Sequence, residues 1–320
     1  MPFSARGWGS IMSDEFVESL RRSKRERAKI VARLGCVPMS VLRLSRGALS
    51  RRMFSLQKER PHGSVQVDLP PEKIATMSEA AKEKYRICKE RGLMGRGVAG
   101  APNIDRVQVS IMPAELVQFF VRYYAEAGAV YVDPFLGQGV QMQVAALEGL
   151  DYYAVDVCQE YVDYAGAVID RLDLREGQTV QVVREDARVM DSVPDGIGDI
   201  CFTSPPYWDI EYYDDSDEQL GHGKGYDEFL EGMGEVAKAL RSKMKPGAYA
   251  VVNVNDFRRN GRFYGYSIDT VNLFRAAGWT HHDTWIIDGL VGGISRAFAV
   301  DRCKQKIAPK VHEYAWVFRA

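Results

Sequence analysis

From Met112 onward the sequence alternates between short apolar strands and amphipathic helices, and this alternation constrains the fold more than any other feature. Neighbouring parallel strands need a crossover connection, which is usually a helix. Repeated strand and helix units therefore predict a doubly wound, mostly parallel α/β sheet with helices on both faces. The last two strands, THHDTWIID and VHEYAWVFR, follow one another with no helix between them, so we expect an antiparallel edge strand there.

The composition is that of a folded, water-soluble protein. The chain has 320 residues, of which 46% are hydrophobic and 27% charged. No apolar run approaches the ~20 residues of a membrane span, and the first ten residues lack the apolar segment of a signal peptide, so we expect a cytoplasmic protein. Five widely spaced cysteines without a CxxC pair argue against a disulfide framework or a zinc knuckle. The five histidines also lack a ligand spacing such as HExxH, and we expect no metal.

Charge is distributed unevenly along the chain. Residues 1–60 carry 14 basic and 5 acidic side chains, whereas residues 133–228 carry 5 basic and 22 acidic ones. We divide the chain into a basic, mainly helical N-terminal region over residues 1–105 and a larger domain over residues 106–320. A basic surface would suit contact with a polyanion, and a solvated basic helix explains the same charge equally well.

Within the N-terminal region the apolar spacing predicts helices over residues 14–33 and, as two short ones, over residues 36–54. We favour a helical hairpin that braces the main domain. The alternative is a helix-turn-helix with Arg43 and Arg46 on its second helix. Residues 61–71, PHGSVQVDLPP, are predicted to be a linker or an edge strand, and residues 72–90 a charged helix.

The segment GRGVAGAP has the glycine spacing of a dinucleotide-binding fingerprint, with Gly95, Gly97 and Gly100 as GxGxxG. That fingerprint requires a buried strand before it and a helix after it, because the helix N-terminus binds the pyrophosphate. Here a charged helical segment precedes it and Pro102 follows. We interpret it as a flexible loop and not as a cofactor site.

Three successive strands of the larger domain end in acidic side chains. The first runs into a glycine-rich turn, residues 133–139 (DPFLGQG), the second ends in Asp156, and the third in Glu185 and Asp186. In open α/β sheets, ligands bind at the carboxyl ends of the strands near the switch point of strand order. The three strand ends together suit a nucleoside, and the lack of a Walker lysine argues against a triphosphate. As an alternative, each acidic side chain is an ordinary helix cap.

The fourth strand ends in TSPPYW, residues 203–208. Two consecutive prolines after a buried strand hold the backbone extended and remove two donors, so the carbonyls of Ser204 and Pro205 can face a ligand. The purely structural interpretation is a rigid strand-to-loop turn. That interpretation explains the adjacent aromatic residues Tyr207 and Trp208 less well.

DPFLGQG followed about 70 residues later by TSPPYW resembles the paired motifs of the amino-group DNA methyltransferases. The resemblance covers residues 108–320 and implies a class I methyltransferase-like fold with S-adenosyl-L-methionine as cofactor. By this resemblance the cofactor-binding residues are Asp133, Phe135, Gly137, Gly139, Asp156 and Asp186, and the catalytic residues are Ser204, Pro205, Pro206 and Tyr207.

The resemblance also implies the substrate, which is the exocyclic amine of a base flipped out of duplex DNA, as in restriction-modification systems. Ser204 at the head of the SPPY tetrad favours N4 of cytosine over N6 of adenine. No Pro-Cys dipeptide occurs, which argues against methylation at carbon 5 of cytosine. The sequence implies no membrane partner and leaves a homodimer open.

Two other functions stay open at this point. Methylation of an amine in RNA, or of a side-chain amide in a protein, uses related tetrads on the same fold. A catalytically silent DNA-binding protein would be expected to have a damaged tetrad or glycine turn, and both are intact here.

This sequence departs from the family pattern at Val140, where Thr or Ser is usual, and it lacks a long separate segment for target recognition. We expect residues 1–60 to supply affinity that does not depend on DNA sequence. Specificity is then expected in the loop after Trp208 and in the basic residues 295–310.

Overall fold

The computed structural model describes residues 112–210, 218–221, 224–288, 303–308 and 312–320. It also describes residues 41–43, 64–65 and 107–108 and the single residues Lys29, Ala32, Arg33, Leu49 and Lys82. Within this part of the chain the helices are α1 Ala114–Tyr124, α2 Val140–Leu147, α3 Gln159–Ile169, α4 Tyr226–Lys243 and α5 Tyr266–Ala276. None of them is long and apolar enough to cross a membrane.

Most of the strands form one sheet. The strands are β1 Val41–Arg43, β2 Ser64–Val65, β3 Val107–Gln108, β4 Val130–Asp133, β5 Asp151–Asp156, β6 Val180–Arg184, β7 Gly198–Thr203, β8 Met244–Val254, β9 Phe257–Arg259, β10 Arg262–Tyr264, β11 Thr280–Asp288 and β12 His312–Arg319. The main sheet has eight strands in the order β1-β11-β12-β8-β7-β4-β5-β6, while β9 pairs with β10 and β2 with β3 in two small antiparallel ribbons.

The strand order confirms the predicted doubly wound, mostly parallel fold. From β4 the chain builds outward through β5 and β6, then returns to the other side of β4 and continues through β7 and β8, all in parallel. The antiparallel strand is β12, which lies between β8 and β11 and is antiparallel to both. Strands are added first on one side of β4 and then on its other side, which makes β4 the switch point of the strand order. A ligand site is expected at such a point.

One prediction for the N-terminal region is wrong. Residues 41–43, expected in a helix, form strand β1, which pairs in parallel with Ile286, Ile287 and Asp288 at the end of β11. Leu42 is 6% exposed and belongs to the core. Helix spacing is a weak local preference, and a free sheet edge that needs hydrogen-bond partners overrides it. Arg43 therefore lies on a strand, and Arg46 lies outside the described residues.

The other N-terminal predictions are only partly covered by the structure. Ser64 and Val65 form a strand that pairs with Val107 and Gln108, as the edge-strand alternative predicts at these two positions, and the rest of residues 61–71 lies outside the described residues. Lys29, Ala32 and Arg33 are helical, as is Lys82 in the predicted charged helix. The glycine-rich segment at residues 95–100 lies outside the described residues. The boundary at residue 105 stays a prediction.

The core lies on both faces of the sheet because successive strand residues point to opposite sides. Tyr131 of β4 packs in the cluster that contains helices α1, α2 and α3, whereas its neighbour Val132 packs in the cluster that contains α4 and α5. Phe202 and Cys201 of β7 divide in the same way. All four side chains are 0% exposed. The switch point therefore rests on a fully packed layer.

We predict that Gly198→Ala destabilises the fold by about 1–3 kcal/mol, because it overpacks this layer. A Cβ on Gly198 would lie 2.5 Å from Sδ of Met244 and 2.9 Å from Cγ2 of Val132. The matched control is Gly234→Ala in helix α4, where a Cβ would lie 3.6 Å from Leu273 and alanine is favoured by ~1 kcal/mol. Urea unfolding measures both, and an unchanged stability of Gly198→Ala would contradict the packing described here.

Candidate functional site

The carboxyl ends of β4, β5 and β7 meet at one edge of the sheet. Asp133 at the end of β4 lies opposite Ala154, two residues before Asp156 ends β5. On the other side, Tyr131 of β4 pairs with Ile200 of β7, the strand that runs into the SPPY tetrad. The register thus brings the glycine turn, Asp156 and the tetrad together at the switch point.

The turn after β4 depends on two glycines in the left-handed region. Gly137 has φ +49° and Gly139 has φ +68°, a conformation that L side chains rarely adopt. Gly139 is also the N-cap of helix α2, and no side chain caps that end. A Cβ on Gly137 would meet nothing within 4 Å. The turn therefore presents bare backbone toward open space beside a helix N-terminus.

Asp156 holds this turn in place. One carboxylate oxygen accepts a hydrogen bond from the Gly137 N–H at 2.8 Å, and the other accepts one from the Cys158 N–H at 2.9 Å. Asp156 therefore connects the end of β5 with the glycine turn and fixes the position of that turn.

Asp133 lies beneath the turn and is 0% exposed. Its carboxyl accepts hydrogen bonds from the Tyr152 hydroxyl at 2.7 Å and from the Phe135 N–H at 3.1 Å, and the Thr203 hydroxyl lies 3.5 Å away. Burial, together with the nearby charge of Asp156, raises the pKa of Asp133 to about 7. Asp133 thus connects the glycine turn with Thr203, the residue that precedes the tetrad. Phe135 is partly exposed.

The acidic residues after β6, Glu185 and Asp186, both accept hydrogen bonds from nearby residues of the chain. The Asp186 carboxylate accepts four hydrogen bonds from Arg188. Two come from Nε at 2.9 and 3.0 Å, one from Nη2, and one from the backbone N–H at 2.8 Å. Glu185 accepts from the backbone N–H groups of Asp191 at 2.6 Å and Ser192 at 3.1 Å. Both residues therefore stabilise the turn after β6. The sequence analysis missed Arg188 as the partner of Asp186.

The four residues of the tetrad differ in exposure. Pro205 is buried, as is Thr203 just before the tetrad, whereas Ser204, Pro206 and Tyr207 are partly exposed. The Tyr207 ring stands edge-on to Phe257 and Tyr266, with centroids 6.3 and 5.9 Å away. These aromatic neighbours follow β8, which pairs with β7 at the same edge.

The residues after the tetrad are held in an uncommon conformation. Trp208 has φ +50°, its indole N–H donates to the Lys224 carbonyl at 2.8 Å, and the Ile210 N–H donates to the Tyr207 carbonyl at 3.0 Å. A Cβ on Gly221 would collide with the Trp208 carbonyl, so only glycine permits this close approach. Such conformations persist only where the surroundings fix them, and they cluster at functional sites.

The sequence analysis did not identify two polar side chains that lie at this edge of the sheet. Asn253, 1% exposed near the end of β8, donates to the Glu313 carboxyl of β12 at 2.8 Å. Burial raises the pKa of Glu313. Neither residue follows a strand directly, so strand-end reasoning could not find them.

No group of three or more His, Cys, Asp or Glu in the described part of the chain could hold a metal ion. His281 lies on the exposed face of β11, beside the rings of Trp316 and Phe318.

Several solved methyltransferase structures resemble this chain. TrmN from Thermus thermophilus matches 65% of this chain and 49% of its own length, with 16% identity and a TM-score of 0.42. A SAM-dependent methyltransferase from Methanosarcina mazei matches 62% of this chain and 96% of its own, with 11% identity and a TM-score of 0.43. A second Thermus thermophilus protein, described as a candidate DNA modification methylase and complexed with S-adenosyl-L-methionine, matches 42% of this chain and 52% of its own, with 25% identity and a TM-score of 0.31.

The chain thus spans about half the length of the first and third of these proteins. No protein-family model matches the sequence, and no curated protein matches it significantly. The fold assignment rests on the strand order described above.

We predict a pH-dependent contribution of Asp133 to stability. An aspartate in an unfolded chain has a pKa of ~3.9, so between about pH 4 and pH 7 the folded protein holds a proton that the unfolded chain has released. The free energy of unfolding therefore falls as pH rises through this window. Asp133→Asn removes the effect, and its stability relative to wild type should rise by about 1–3 kcal/mol from pH 4.5 to pH 7.

Urea unfolding at several pH values measures this difference. The control is Asp173→Asn, which removes an exposed carboxyl after α3 and should follow the wild-type curve. Parallel curves for wild type and Asp133→Asn would show that the buried carboxyl does not titrate in this range.

Proposed function

We propose that the protein transfers a methyl group from S-adenosyl-L-methionine to the exocyclic amine of a base in DNA, with N4 of cytosine favoured over N6 of adenine. The observation that carries the proposal is the meeting of the DPFLGQG turn and the SPPY tetrad at the ends of the paired strands β4 and β7. The two motifs are connected by Asp133 and Thr203, which are both buried; the Thr203 hydroxyl lies 3.5 Å from Oδ1 of Asp133. The motif resemblance supplies the reaction class.

The edge of the sheet fits the proposed cofactor in shape and charge. Gly137 leaves its turn open for backbone contact, Phe135 offers a partly exposed ring, and Asp156 offers acceptors for ribose hydroxyls. Asp186 would accept from the adenine amine in place of one of the four hydrogen bonds that it accepts from Arg188. The excess of acidic residues over 133–228 suits a cationic ligand. When bound, S-adenosyl-L-methionine would supply an electrophilic methyl group on a sulfonium. The S–CH3 bond would break as the N–CH3 bond forms, S-adenosyl-L-homocysteine would leave, and the methylated amine would release one proton to solvent.

The tetrad would prepare the nucleophile. The exocyclic amine of cytosine or adenine is a poor nucleophile because its lone pair is delocalised into the ring. Acceptors at Ser204 and the Pro205 carbonyl would hold the two amine hydrogens out of the ring plane, so that the nitrogen becomes tetrahedral. The prolines bring no N–H groups that would compete for these acceptors. Alignment alone can supply several kcal/mol of catalysis, and no covalent enzyme intermediate is needed.

The substrate assignment rests on the tetrad and on the basic residues 1–60. A base in a duplex must leave the stack before its amine can reach Ser204, which costs a few kcal/mol. The ring of Tyr207, which is partly exposed, would recover part of this cost by stacking on the base. The 14 basic residues within residues 1–60 suit contact with phosphate.

The direct test is methyl transfer from radiolabelled S-adenosyl-L-methionine to three substrates: duplex DNA, folded RNA and a protein extract. The DNA is digested to nucleosides and compared with a no-enzyme control. We expect label in N4-methylcytosine. Label in N6-methyladenine would reverse the base preference, and label mainly in RNA or protein would overturn the DNA assignment. No transfer to any substrate would overturn methyl transfer itself.

Substitutions should separate the two halves of the site. Tyr207→Ala is expected to weaken binding of DNA by ~1–3 kcal/mol through lost stacking, while Tyr207→Phe keeps the ring and should behave like wild type. Asp156→Asn should weaken cofactor binding and leave DNA binding unchanged. Calorimetry with the cofactor and fluorescence anisotropy with DNA measure the two affinities. An equal loss of cofactor affinity in Tyr207→Ala, or intact cofactor affinity in Asp156→Asn, would contradict these roles.

A further inference from the structure

A short hairpin follows β8 at the same edge of the sheet as the tetrad. Its strands are β9 and β10, and Arg258 pairs with Phe263 across them. Asn260 and Gly261 form the turn with φ values of +50° and +79°. Two successive residues with positive φ are what a type I′ turn requires, and Asn-Gly is the favoured sequence for it. We call residues 257–264, FRRNGRFY, the arginine hairpin.

The inner side of the arginine hairpin is fixed to the loop after the tetrad. The guanidinium of Arg259 donates from Nε to Oδ2 of Asp209 at 3.2 Å, and its Nη2 forms an ion pair with the same oxygen at 3.1 Å. The Tyr264 ring lies 5.1 Å from the ring of Trp208 and is stacked on Phe257 at 5.3 Å. The hairpin therefore has a defined position relative to Tyr207 and Ser204.

The exposed side chains of the hairpin combine positive charge with aromatic surface. Arg258 and Phe263 lie on its outer side, whereas Arg262 pairs with Arg259 and extends from the inner side beside Tyr264. Arg258 and Arg262 are exposed, and Phe263 is 47% exposed although it is a large apolar side chain. The guanidinium of Arg258 lies over the Phe263 ring at 5.3 Å, and that of Arg262 lies over the Tyr264 ring at 5.0 Å. Residues 257–264 contain three arginines and no acidic residue.

We propose that the arginine hairpin binds the DNA strand next to the target base, with Arg258 and Arg262 on backbone phosphates and Phe263 against the face of a neighbouring base. This inference rests on the proposed function. Guanidinium groups suit phosphate, and a base stacks on an exposed aromatic ring whatever its sequence. An acidic protein partner would use the charge but would leave the exposed ring unexplained. The hairpin would thus add a third DNA-contacting segment to residues 1–60 and 295–310, for which that role stays a prediction because they lie mostly outside the described residues.

The test measures binding without requiring turnover. The probe is a fluorescein-labelled duplex of mixed sequence, about three helical turns or ~30 base pairs long, titrated with the full chain at several salt concentrations. Each phosphate contact contributes a slope near -0.9 to the dependence of log affinity on log salt. The double variant Arg258→Gln with Arg262→Gln should therefore flatten the slope by about 1.8. Phe263→Ala should lower the affinity by about 5- to 150-fold and leave the slope unchanged.

Two matched variants control for general charge and for folding. Lys238→Gln with Arg275→Gln removes two exposed positive charges from α4 and α5 and should keep the wild-type slope. Arg258→Lys with Arg262→Lys retains the charge and should also keep it. Cofactor affinity should be unchanged in all of these variants.

The outcomes separate the hairpin from the proposed function. If wild type methylates DNA but the Gln double variant keeps the wild-type slope, the hairpin inference is wrong and the function stands. If the slope flattens as expected but no base becomes methylated, the hairpin binds DNA and the proposed reaction is wrong. Wild-type protein that does not bind the duplex, or an unchanged affinity of Phe263→Ala, would also overturn the hairpin inference.

Discussion

The arrangement of the site depends on one buried carboxyl group. Asp133 has no contact with solvent, and its hydrogen bonds fix the start of the glycine turn through the Phe135 N–H and reach the second motif through Thr203. The Tyr152 hydroxyl, from the neighbouring strand, is its closest donor. Three strands therefore meet at one polar group inside an otherwise apolar layer. A buried acceptor of this kind is costly unless its partners stay in place, and so it ties the two motifs to a single geometry.

Much of the fold could be predicted because the sequence pattern is local. The strand and helix alternation predicted the parallel sheet, and the glycines at 137 and 139 occupy the left-handed turn that their residue type suggests. Strand β1 could not be predicted in this way, since its partner Ile286 lies more than 200 residues further along the chain. The arginine hairpin could have been predicted, because Asn260-Gly261 between apolar and aromatic residues is a strong hairpin signal.

The roles of the acidic strand ends were only partly accessible from the sequence. Asp133 and Asp156 each end a strand and Asp186 lies two residues after one. Yet the first is fully buried, the second bonds to the glycine turn and the third pairs with Arg188. Sequence alone cannot distinguish these cases, because burial and partner choice depend on how neighbouring strands are aligned. For Asp156 the structural role is the one that the contacts describe, because its carboxylate fixes the glycine turn through the Gly137 N–H.

Strand β1 has a further consequence for the physical behaviour of the protein. By pairing with β11, it covers backbone N–H and C=O groups of Ile286 to Asp288 that would otherwise lie open at the margin of the main sheet. An open margin of this kind is a template for association with another chain. Strand β1 therefore also protects the chain against self-association through this edge. A shortened form of the chain that lacks Val41–Arg43 would expose unpaired backbone groups of β11. Its tendency to aggregate would reflect that exposed edge as well as the loss of basic charge.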